Sequence, residues 1–141
     1  MRKLTWWFRI VGGFYLLLAV MNLYFVLINP SFAGEMMAFP FPATPDTIMA
    51  FVDGWSPFAF EVFGIATFML WASFNPQRYL GAVWLLVWLE FTHGVLDDIY
   101  LIWRGYDTVG YLIFIAIHLM IIVTGVIFVR QAEAEAMRSS T

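Results

Sequence analysis

Glu90, His93, Asp97 and Asp98 lie inside the apolar stretch from Tyr79 to Trp103, while Glu61 and His118 lie inside two other apolar stretches. Ionisable groups in such places are costly, and they usually face a bundle interior where they pair or do chemistry. At about 100° per residue of α-helix, Glu90, His93, Asp97 and Arg104 fall within an arc of roughly 60°, with Asp98 at its edge. Three kinds of chemistry fit these residue types. First, Glu90 and His93 form a Glu-x-x-His, the spacing by which di-iron carboxylate bundles set two ligands on one helix face. With His118 they are the candidate ligands of a divalent metal, although those bundles need two copies of the motif and this chain has one. Second, a carboxylate beside a histidine can exchange a proton near neutral pH, which serves acid–base work or the binding of a polar ligand group. Third, the groups can be structural: Arg104 pairs with Asp97 or Glu61, and the histidines hydrogen-bond between helices. Against this last reading, Glu61, Glu90, Asp97 and Asp98 face only Arg104 and two histidines. Pairing alone leaves carboxylates over, and these must hold a proton or bind something.

Such residues need helices to position them, and the solvent of those helices is lipid. The chain is 62% hydrophobic and 12% charged over 141 residues. Soluble domains run at about 45–50% apolar and about 25% charged, and so short a chain cannot bury the excess. Four segments reach the ~20 apolar residues of a membrane span: about 10–28, 57–74, 79–103 and 108–129. In lipid the backbone must satisfy its own hydrogen bonds, and no segment shows the alternation of a barrel strand, so the spans are helices. Asn29-Pro30, Asn75-Pro76 and Gly105 supply the breaks. Depth follows from a rise of ~1.5 Å per residue: Asp97 lies roughly 10 Å below the outer end of its helix, and His93 and His118 roughly 16 Å.

Arg2, Lys3, Arg9, Arg78, Arg130 and Arg138 all fall on one side of this layout, and Arg104 alone on the other. The positive-inside bias then predicts cytoplasmic N and C termini. The long first connection carries Pro30, Pro40, Pro42 and Pro45. Within it, Thr44-Pro45-Asp46 predicts a helix start. Ile48, Phe51, Val52 and Trp55 share a face, which predicts a short amphipathic helix on the outer interface, either a lid over a cavity or a greasy connector. The chain has no cysteine, hence no thiol chemistry, and no basic patch for nucleic acid.

The stretch Trp88-Leu89-Glu90-Phe91-Thr92-His93-Gly94-Val95-Leu96-Asp97-Asp98-Ile99-Tyr100, followed by Arg104-Gly105-Tyr106, resembles the BphX-like family of small bacterial membrane proteins. The opening Trp6-Trp7-Phe8-Arg9-Ile10-Val11-Gly12 and the later Leu70-Trp71-Ala72-Ser73 are similar to that family too. The resemblance implies a bacterial inner-membrane protein and brings no catalytic residues with it.

The expectation is a single all-α membrane domain over 1–141, an antiparallel four-helix transmembrane bundle with a short outer amphipathic helix. Its expected role is to bind or help move a small, hydrophobic molecule at a cluster of Glu61, Glu90, His93, Asp97, Asp98, Arg104 and His118. Two other roles stay open: a metal-binding or acid–base enzyme subunit, and a structural subunit of a homo-oligomer or larger membrane complex.

Overall fold

The computed structural model describes residues 1–139. Helix α1 spans Arg2–Leu27, α2 spans Ser31–Met36, and α3 spans Pro45–Ala72. A 3-10 turn at Pro76–Tyr79 leads into the third long helix, which is α4 over Leu80–Leu89, a π-helical segment over Glu90–Leu96, and α5 over Asp97–Trp103. Helix α6 spans Thr108–Ser139. Four helices, Arg2–Leu27, Pro45–Ala72, Pro76–Trp103 and Thr108–Arg138, are long and apolar enough to cross a membrane. The chain is thus an all-α bundle of a multi-pass membrane protein. Its outer faces carry exposed Ile10, Leu17, Leu85, Trp88, Leu112 and Ile113, side chains suited to lipid.

Helix starts follow the expected chemistry. Thr44 caps α3, its hydroxyl accepting from the Thr47 N–H at 3.3 Å, with Pro45 at the first helical position. Asp107 caps α6, accepting from the N–H groups of Val109 at 3.2 Å and Gly110 at 3.0 Å. Gly105, at φ +88°, makes the turn between α5 and α6.

The amphipathic segment departs from expectation. It is not a separate helix: its residues are the first turns of α3, which runs on through Pro57. Proline leaves the carbonyl of Asp53 without its helical N–H partner. The Ser56 hydroxyl donates to that carbonyl at 2.9 Å, so the helix continues. The short outer helix is α2 instead, whose Ala33 packs with Phe25 of α1 and Val52 of α3.

Packing is uneven along the bundle. The half that carries both termini is a dense core of Leu4, Trp7, Phe8, Val11, Ala66, Met69, Ala72, Val83, Leu86 and Val129. There α1 lies tightly on α3: a Cβ on Gly12 would sit 3.1 Å from Met69 Cβ. Helix α6 packs on α4, the π segment, α5 and α1. Neither the π segment nor α5 packs closely on α3. A seam therefore separates α3 from the third long helix, and the half away from the termini encloses a hollow.

Candidate functional site

The hollow is a cavity of about 340 Å³ lined by all four long helices and by Met36, Met37 and Ala38 of the first connection. Its walls are mostly apolar: Leu18, Met21, Trp55, Phe58, Val62, Ile65, Leu101 and Phe114. Its polar lining includes Tyr15, Asn22, Glu61, His93, Asp97, Asp98, Asp107, Tyr111 and His118.

Behind the cavity wall lies Glu90, 1% exposed. The Tyr15 hydroxyl donates to its Oε1 at 2.6 Å, and His118 Nδ1 is hydrogen-bonded to its Oε2 at 2.5 Å. That bond orients the imidazole and leaves His118 Nε2 facing Asp98 Oδ2 at 3.6 Å, an ion-pair distance too long for a hydrogen bond. Asp98 is 6% exposed, and its Oδ2 has no hydrogen-bond partner. The ring of His118 can lie this close because residue 94 is glycine: a Cβ there would come within 2.5 Å of His118 Cγ and Nδ1.

The π segment decides which carboxylate faces inward. Its bonds run i→i+5 rather than i→i+4, so it holds about one residue more per turn than an α-helix. Everything after it lags by roughly 100° relative to a straight α-helix. Asp98 therefore joins Glu90 and Gly94 on the buried face, and Asp97, expected on the arc shared with Glu90 and His93, is rotated outward to the cavity rim, where it is exposed.

The same shift opens the Glu-x-x-His spacing. His93 points across the seam, its Nδ1 4.0 Å from Glu61 Oε1, with both side chains about half exposed at 53% and 45%. Glu90 and His118 are bonded to each other while His93 faces Glu61, so the three candidate metal ligands do not converge, and no group of three donors suited to a metal occurs among the described residues. Arg104 is exposed at the end of α5 and joins no ion pair among the described residues, contrary to the expected pairing with Asp97 or Glu61.

Two polar contributors were not anticipated in these roles. Tyr15 is a buried donor to Glu90, and Trp55 Nε1 donates to Asn22 Oδ1 at 2.6 Å, tying α3 to α1 beside the cavity. Their sequence signal was a phenol and an indole N–H inside or beside apolar spans, since both need a partner when buried.

A family model described as BphX-like matches residues 1–134. No curated protein and no solved structure matches the chain.

Proposed function

The chain belongs to the BphX-like family, and from that premise we propose that it is a non-enzymatic bacterial inner-membrane protein that binds, or helps move, a small hydrophobic molecule, with both termini in the cytoplasm. The observation that carries this reading is the cavity of about 340 Å³, roofed by the first connection and walled by apolar side chains around a few polar ones. That size and lining suit small-molecule sites, which run at about 300–1,000 Å³ and use few polar groups to orient a ligand. The seam between α3 and the third long helix supports access from the lipid, where a hydrophobic ligand concentrates.

A neutral alkyl alcohol bearing a photoactivatable diazirine tests the reading. After irradiation in vesicles and peptide mapping, adducts should concentrate on Met36, Met37, Trp55 and Phe58. Adducts confined to lipid-facing residues such as Phe74 and Trp103 would overturn it. A second reading, acid–base chemistry, is favoured by the hydrogen-bonded groups Tyr15, Glu90 and His118, with Asp98 at ion-pair distance from His118. The recovered probe separates the two: an unchanged mass supports binding, a changed one supports turnover.

A further inference from the structure

The geometry points to a hydrophobic amine as the cavity's ligand, its ammonium group held by Asp98 and Asp97 and its apolar body against Trp55, Phe58 and Phe114. This rests on the binding role proposed above and names the chemistry of the occupant.

The first ground is an unmet hydrogen bond. Asp98 lines the cavity and is more than nine-tenths buried, yet its Oδ2 has no hydrogen-bond partner, only His118 Nε2 at ion-pair distance. A buried polar atom without a partner calls for an explanation, and a missing donor supplies one. His118 does not fill the gap. Its Nδ1 is committed to Glu90 and its ring is seated on Gly94, which together hold Nε2 at 3.6 Å.

The second ground is charge. The cavity is lined by four carboxylates and by no lysine or arginine. Asp107 is occupied in capping α6, and Glu61 faces His93 across the seam. Asp97 and Asp98 remain, adjacent in sequence at the cavity's wall and rim, and the Asp97 side chain makes no hydrogen bond to any described residue. An anionic ligand would meet like charge. An alcohol could donate to Asp98 but would bring no positive charge. An ammonium group does both, through charge-assisted hydrogen bonds, which are about twice as strong as neutral ones. Aromatic faces on the wall are compatible with such a cation as well.

The third ground is access. A deprotonated hydrophobic amine enters a bilayer readily, and Glu61 and His93, which face each other across the seam, are both about half exposed. The amine nitrogen then takes a proton from water, the hydroxide passing to the solvent, and is held as the ammonium form.

The test uses three diazirine probes with one alkyl body, ending in a primary amine, an alcohol or a carboxylate, applied to the full chain in phosphatidylcholine vesicles. The amine should label cavity residues at concentrations about tenfold lower than the alcohol, reflecting the stronger hydrogen bond of a charged pair. The carboxylate should label them least. Asp98→Asn should abolish the preference for the amine over the alcohol. If that variant fails to fold, Asp97→Asn and the discrimination among the three probes by the parent protein decide the matter. Equal labelling by amine and alcohol in the parent overturns the amine assignment and leaves the cavity reading standing. No cavity adducts from any probe overturn both. Adding phosphatidylethanolamine identifies the source of the group: suppressed amine labelling assigns it to an aminolipid headgroup, and unchanged labelling assigns it to a free amine.

Discussion

Substituting Gly94 by alanine probes the part of the site on which the other polar groups depend. The added Cβ would lie 2.5 Å from His118 Cγ and Nδ1 and 2.9 Å from Cδ2, whereas ordinary contacts begin near 3.4 Å. The ring must withdraw by about an ångström, which stretches the 2.5 Å bond from His118 to Glu90 beyond hydrogen-bond range. Overpacking of a well-filled site costs about 1–3 kcal/mol. A hydrogen bond between transmembrane helices averages roughly 0.6 and reaches about 1.7 kcal/mol, because the unfolded chain in lipid also finds partners. Alanine gains up to about 1 kcal/mol over glycine in helix propensity. The steric and polar terms win, and the variant should be destabilised by roughly 1–3 kcal/mol. Gly64→Ala is the control, since a Cβ there meets nothing within 4 Å, and it should be neutral or stabilising. Reversible unfolding in mixed detergent micelles measures both. Removing the ring in Gly94→Ala/His118→Ala should recover the steric part, which a double-mutant cycle isolates. Equal stabilities of Gly94→Ala and Gly64→Ala would refute the packing of His118 on Gly94.

Tyr15→Phe removes the 2.6 Å bond to Glu90 and leaves a buried carboxylate oxygen short of a partner; it should cost about 1–3 kcal/mol in the same unfolding assay, and Tyr24→Phe at the exposed face less than about 0.5. Arg104→Leu should change stability by no more than about 0.5 kcal/mol, because no ion pair is lost among the described residues; a larger loss would restore the pairing expected from the sequence. A phosphatase reporter inserted near Pro42 should be active and one fused after Arg138 inactive, as cytoplasmic termini require; the reverse pattern would sink the orientation.

The spans were legible because lipid leaves the backbone little choice, and because Asn29-Pro30, Asn75-Pro76 and Gly105 interrupt the apolar runs at usable intervals. The start of α3 was legible from Thr44-Pro45 for the same local reason. The amphipathic segment was expected as a separate short helix, but it runs into the span because the Ser56 hydroxyl serves the carbonyl that Pro57 leaves without its helical donor. The polar cluster was legible as residue types and depths, but the choice of Asp98 over Asp97 was not. That choice depends on a shift in backbone hydrogen bonding that leaves no residue-type signature. Arg104 misled because a shared helix face is not a contact. It sits beyond the end of α5, exposed, where a pairing holds little advantage over solvation. Tyr15 could be recognised as a donor in search of an acceptor, but its partner Glu90 lies on another helix, and only packing names it.

If the π segment amounts to one residue inserted into an α-helix, deleting one residue should return it to α geometry without disturbing the buried face. Thr92 is the residue to remove: it is exposed, and its hydroxyl bonds only to its own helix, at Trp88 O and Leu89 O. Glu90, Gly94 and Asp98 are spaced by four and four in the π geometry. After the deletion the separations from Glu90 become three and seven, which share one face of an α-helix. The shortened variant should therefore fold, and Tyr15→Phe should destabilise it as much as it does the parent, because the Tyr15–Glu90 bond persists. His93, moved to two places after Glu90, should turn away from the seam and lose its contact with Glu61. Deleting exposed Leu85 from the regular helix α4 makes the opposite case. It rotates every later residue by about 100° and carries Glu90 off the buried face, so that variant should not assemble. Monodispersity on size exclusion and unfolding in mixed micelles compare the two. Should the Thr92 deletion collapse as the Leu85 deletion does, the π segment is not an accommodated insertion, and the register by which it sets Asp98 inward must have another cause.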